Sequence, residues 1–213
     1  MAVPLAAAGH RVVGIDIDPA MLARAGRRAA AAGPAVVDRL ELVAGDALRP
    51  RPADIGRFAL AVLALNSILV FADRATQERV VRTMAELVAP GGLVVVDAWQ
   101  PQPIDLVRMD GRLSLEWLRE DPESGATVTK LAAAWYDAAT RVATVTTVFE
   151  AARQGEPAAR WTRVDRLRLA AGEELMAWAA ASGLEVERLA GDHGLGPYGS
   201  ASERAVLVAR KPS

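Results

Sequence analysis

Asp16, Asp46 and Asn66 each stand where an apolar run stops, and each carries side-chain oxygens that can hold a polar ligand. An ionised carboxylate such as Asp16 can accept both hydroxyl protons of a ribose at once. Its bland alternative is a solvated aspartate opening an Asx turn. Further along, His193 in the glycine-rich loop 191–199 and Asp165 are the weaker candidates for a catalytic base. A lone histidine in such a loop is more often solvated than catalytic. The chain has no cysteine and only two histidines, His10 and His193. Thiolate nucleophiles, disulfides and cysteine or histidine-rich metal centres are therefore excluded, and no metal site is expected.

The elements that must position these residues alternate in order. Residues 11–15 read as a strand closed by Asp16; Asp18-Pro19 supplies an N-cap and a proline at the first helical position. A helix over 19–32 follows, stopped by Gly33-Pro34. Runs 39–44, 57–65 and 93–98 read as further strands, ending in Gly45-Asp46, Asn66-Ser67 and Trp99. Between the last two, apolar positions at helical spacing predict a helix over 73–88, with Ala89-Pro90-Gly91-Gly92 as its terminator. Near-continuous apolar strands suit a sheet covered on both faces. Right-handed crossovers in such a sheet place ligands at the carboxyl ends of the strands, where Asp16, Asp46 and Asn66 fall.

With 213 residues, 52% of them apolar, the chain can bury a sizeable core. A net charge of -1 with interspersed signs leaves no electrostatic footprint for nucleic acid or an anionic membrane, so neither is expected as a partner. Residues 2–8 are too short for a signal peptide or a span and read as the tail of a helix. The absence of cysteine fits a cytoplasmic location.

VVGIDIDPAML, VAGDAL, LALNSILVF and LVAPGGLVVVDAW, in this order and spacing, resemble segments of class I S-adenosylmethionine-dependent methyltransferases of the small-molecule type. The resemblance covers about residues 2–99 and returns in the last forty or so. It implies an α/β, Rossmann-like three-layer sandwich with S-adenosyl-L-methionine as cofactor. Asp16 would hold the ribose, with Ile17 beside the adenine. Asp46 would bind the adenine amino group, with the Ala47 backbone N–H near a ring nitrogen. Leu65, Asn66 and Ser67 would line the pocket near the sulfonium.

The family's first strand and glycine-rich loop have no counterpart, so the sandwich is expected to be N-terminally truncated. That strand sits between the second and fourth in the family's sheet, and its loss would split the ladder unless a gap closes. A start codon placed too late and a truly truncated, inactive protein both account for this; the undecayed strand and turn patterns favour the former.

After the fifth strand, counted with the absent first, the rhythm changes. Turn signals at 121–125, 137–140 and 154–157 separate four runs, 112–120, 126–136, 141–152 and 158–169, which predict an antiparallel β insertion over 100–169. It would cap the acceptor pocket or form a homodimer contact, leaving 1–99 and 170–213 as the cofactor-binding core. Trp117, Trp135, Tyr136, Phe149 and Trp161 lie here, either caging an acceptor or packing a small sheet. A helix over 171–182 and strands at 184–189 and 203–210 return to the core.

The expected reaction is in-line methyl transfer to a nitrogen or oxygen of a small-molecule acceptor, which needs alignment and desolvation and at most one base. Two other readings stand beside it. One is a nicotinamide-dependent oxidoreductase, which also places an acid after its second strand; the other is a non-catalytic binding or dimerising module.

Overall fold

The computed structural model describes residues 1–49, 51–122 and 124–213. Glu123, part of one predicted turn, lies outside them. Helix α1 (Ala2–Ala7) leads into strand β1 (Val12–Asp16), helix α2 (Pro19–Ala32), a one-turn helix α3 (Pro34–Val37) and strand β2 (Leu40–Ala44). The Asp18 carboxylate accepts the Ala20 N–H and starts α2, as its sequence requires. β1 and β2 pair in parallel, with Asp16 opposite Ala44. Gly14 lies within 3.2 Å of Leu42 where a Cβ would be, which keeps this position small.

Strand β3 (Phe58–Leu63), helix α4 (Arg74–Leu87) and strand β4 (Val88–Trp99) form the next unit, with β3 and β4 parallel. β4 begins earlier than its apolar run suggests. Residues 89–92, read as a helix terminator, are absorbed as an irregularity in the pairing between Phe58 and Leu60. Gly92 is needed there, because a Cβ would lie 2.9 Å from the Ala89 carbonyl oxygen.

Helix α5 (Pro103–Arg108), which the sequence reading missed, precedes strands β5 (Ser114–Glu120), β6 (Thr127–Asp137), β7 (Val142–Ala152) and β8 (Ala159–Arg168). These four form an antiparallel meander in sequential order. Helix α6 (Gly172–Ala181) and strands β9 (Glu185–Ala190) and β10 (Arg204–Arg210) complete the chain; β10 runs antiparallel to both β4 and β9. α4 and α6 bury Val80, Val81, Met84, Leu175 and Trp178 against Val94, Val96, Leu207 and Ala209 of the sheet. Burying each large side chain of this set contributes about 1.5–3 kcal/mol.

The central sheet is interrupted. β1 pairs with β2 and β3 with β4, and among the described residues nothing joins the facing edges of β1 and β3. The amino ends of these two strands share one hollow of about 560 Å³, lined by Val12, Val13, Phe58 and Ala59 among others. β1 and β2 run parallel, as do β3 and β4, so Asp16 and Asp46 follow adjacent strand ends and the Leu65–Asn66 turn follows the carboxyl end of β3. The two halves are tied at the opposite edge by Arg51, whose guanidinium reaches Glu41 on β2 at 2.6 Å and the fully buried Asp54 at 2.7 Å. Hydrogen bonds from Arg51, opposed by burial and aided by Arg57, hold the Asp54 carboxyl below the usual carboxylate range.

Candidate functional site

Asp16 closes β1 at its carboxyl end. Its Oδ1 accepts the Asp18 N–H at 2.9 Å, and among the described residues nothing takes its Oδ2. Ile17 beside it is 79% exposed. Asp46 lies two residues past β2; its Oδ1 accepts the Leu48 N–H at 2.9 Å, and Arg49 stands 3.9 Å from Oδ2. Ala47 is half-buried between these loops. The register of β1 against β2 thus brings both acids to one place.

After β3 the backbone turns sharply. Leu65 and Asn66 both adopt the left-handed conformation, with φ of 56° and 65°. Two consecutive non-glycine residues in that region carry strain that their surroundings must offset. Asp97 on β4 does this: its carboxylate accepts the Leu65 N–H at 3.1 Å, and its carbonyl accepts the Asn66 N–H at 3.3 Å. The Asn66 side-chain oxygen accepts the Trp99 N–H at 2.8 Å and an Arg204 N–H at 3.0 Å. The Asn66 side-chain oxygen therefore braces the turn. Leu65 is thrust 71% into solvent, and the Ser67 hydroxyl donates to the Ala64 carbonyl at 2.7 Å.

Asp97 and Arg204 are the residues that sequence reasoning missed. Arg204 donates to Asp97 Oδ1 from Nε at 2.7 Å, and the Asp97 carboxylate is nearly buried. A charge taken out of water in this way must be paired. An acid interrupting the apolar run VVVDAW was the signal available. The same carboxylate meets His193, whose Nε2 lies 3.3 Å from Oδ2. His193 and Asn66 are therefore brought together through Asp97, from sequence positions far apart.

Asp165 is not part of this network. It sits on β8 with Arg163 at 2.8 Å. The insertion aromatics divide by face: the β5–β8 register lines up Trp117, Phe149 and Trp161, with Phe149 stacked on Trp161 at 5.5 Å. Arg119 covers Trp117 at 4.3 Å. Tyr136 packs onto the main core, and Trp135, from the other face of β6, is 62% exposed.

A hollow of about 610 Å³ opens on the loop that carries His193, lined by Asp192, Pro197, Tyr198 and Glu203 among others. Burial, with the Glu173 carboxylate nearby, pushes the Tyr198 phenol up, so it is a donor at neutral pH. Among the described residues no group of three metal-ligating side chains converges, and no helix is long and apolar enough to cross a membrane.

Parallel strands with an antiparallel closing strand, acids at their carboxyl ends and a β meander beyond give the α/β Rossmann-like fold of class I S-adenosylmethionine-dependent methyltransferases, here with its sheet interrupted between β1 and β3. Within it, residues 1–92 match a family described as a methyltransferase domain. Solved structures agree over nearly the whole chain. The CcbJ methyltransferase from Streptomyces caelestis superposes with a TM-score of 0.80 at 23% identity, over 99% of this chain and 78% of that one. The sugar N-methyltransferase KedS8 from Streptoalloteichus sp ATCC 53650 gives 0.71 at 25% identity, over 94% and 71%. SAM-bound CalS10, an amino pentose methyltransferase from Micromonospora echinaspora, gives 0.65 at 22%, over 95% and 74%. Among proteins of curated function, no relative matches the sequence.

Proposed function

We propose that this chain binds S-adenosylmethionine at the carboxyl edge of β1–β3 and directs methyl transfer to an amine of a small, sugar-like acceptor. The observation that carries this reading is the meeting of Asp16 and Asp46 past the carboxyl ends of β1 and β2, together with a strained turn at Leu65 and Asn66 past the carboxyl end of β3. These residues suit the adenosine half of the cofactor. Asp16 keeps an oxygen for ribose hydroxyls, Ile17 offers an apolar face to the adenine, and Asp46 with the Ala47 N–H matches the adenine's donor and acceptor edge. The cofactor supplies a methyl group already activated on a sulfonium. The chain's part is then to align the acceptor, exclude water and take up a proton. Leu65, Asn66 and Ser67 line the edge where the methyl end would lie. Nitrogen as acceptor is supported by the sugar N-methyltransferase among the similar structures.

The β5–β8 sheet, residues 100–169 with α5, would cover the acceptor, and its exposed face is where a homodimer contact would form. The test is titration calorimetry of the chain with S-adenosylmethionine and, separately, NADH. Binding of the former alone supports the reading; binding of NADH alone would replace it with the oxidoreductase. The interrupted sheet favours a second reading, a non-catalytic binding module, which predicts that neither ligand binds.

A further inference from the structure

His193 is the one imidazole on the carboxyl edge, and its environment is asymmetric. Its side chain is 63% exposed, whereas the Asp97 carboxylate it meets is 6% exposed. That carboxylate already accepts from Arg204 on Oδ1 and from the Leu65 N–H on Oδ2. An ionised carboxylate has no proton to donate, so the imidazole nitrogen facing it must carry the hydrogen. The other nitrogen then presents a lone pair away from Asp97, and the ring's exposure makes it reachable.

We propose that Asp97 is a positioning residue that fixes His193 as the Nε2–H tautomer and leaves Nδ1 as the proton acceptor for the methylated nucleophile. This rests on the methyl-transfer reading above. One carboxylate contacts both the Leu65–Asn66 turn and the His193 ring, so the base and the candidate methyl end of the site are tied to the same group. The step balances. The acceptor nitrogen donates its electron pair to the methyl carbon, the C–S pair stays on sulfur, and the proton shed by the new ammonium passes to Nδ1. Arg204 from β10 occupies Oδ1 of Asp97, which leaves Oδ2 as the oxygen that faces the ring.

The test uses the full chain with ring-15N-labelled histidine, in which only His10 and His193 give signals. H10Q assigns them. Long-range proton–nitrogen correlation should show His193 as Nε2–H in the wild type. In D97N, Arg204 retains the side-chain oxygen, and the amide N–H₂ takes the place of Oδ2, giving up the Leu65 N–H and donating to Nε2. The ring should then switch to Nδ1–H, the wrong-tautomer effect known for an aspartate-to-asparagine change beside a catalytic histidine. Carbethoxylation of His193 by diethyl pyrocarbonate, read against exposed His10, should slow by roughly fivefold or more in D97N as the lone pair turns inward. A wild-type Nδ1–H ring overturns the proposal even if D97N fails to fold. An Nε2–H ring indifferent to D97N also overturns it, being only the preference of free imidazole. Failure of the methyl-transfer reading shows separately, as absent S-adenosylmethionine binding with the tautomer unaffected.

Discussion

Gln77 and Arg168, 91 residues apart, hold each other reciprocally inside the protein. The Gln77 amide donates to the Arg168 carbonyl at 2.9 Å, and Arg168 Nη1 donates to Gln77 Oε1 at 2.7 Å. The same amide also donates to the Ile68 carbonyl at 3.0 Å. One side chain from α4 thereby fixes both the turn after β3 and the last residue of β8, so the meander is clamped where it meets the candidate site. Q77L leaves a buried guanidinium N–H and two carbonyls without partners. It should destabilise the chain by about 2–4 kcal/mol, a fall of about 10 °C in Tm, measured by thermal denaturation.

Glu174, on α6, extends this clamp: its carboxylate takes Arg168 at 2.7 Å and Arg141 at 3.0 Å. Burial raises its pKa, but hydrogen bonds from Arg168 and the Ala171 N–H, with the two guanidinium charges, outweigh this and hold it below the ordinary 4.5. A depressed folded-state pKa means stability that is present above the unfolded-state value and lost as pH falls through the lower folded one. E174Q should therefore lower stability at pH 7 and flatten the acid limb below about pH 4.5. Urea denaturation of both proteins across that range checks this; parallel curves would contradict it.

The alternating elements were legible because their signals are local. The Asp18-Pro19 pair starts α2, and β-branched runs bounded by turn residues mark the meander. Asp16, Asp46 and Asn66 were legible as strand-end polar residues for the same reason. What stayed hidden depends on distance in sequence. Asp97 reads as one acid in an apolar strand until folding places Arg204 and His193 on it. Asn66 reads from sequence as a pocket group, and only the fold shows that its side-chain oxygen accepts from the Trp99 N–H and from Arg204. α5 escaped because its six residues are too few to show a helical period.

Arg51 reaches both Glu41 on β2 and buried Asp54 before β3, bridging the two halves of the interrupted sheet at its amino edge. R51A should leave β4, β9 and β10 as protected as before while amide exchange in β1 and β2 rises by roughly tenfold. Hydrogen exchange read by mass spectrometry separates these segments. A uniform rise across all strands would show that Arg51 acts on global stability instead.

Asp16 gives the sharpest test of the proposed cofactor edge, because a structural role and a binding role can be separated there. Its Oδ1 is committed to the Asp18 N–H, and Asp18 in turn caps α2 through the Ala20 N–H. D18A removes the helix cap and should lower stability by about 1 kcal/mol while leaving affinity for S-adenosylmethionine unchanged in the folded protein. D16A removes the hydrogen bonds that a carboxylate makes to hydroxyl groups, each contributing about 1.5–3 kcal/mol. It should weaken binding by roughly 10- to 100-fold with only a small change in Tm. D46A should also weaken S-adenosylmethionine, by disturbing the adenine rather than the ribose. Titration calorimetry on the three variants decides the assignment: equal losses in D16A and D18A would mean that Asp16 acts through the fold of the loop and touches no ligand.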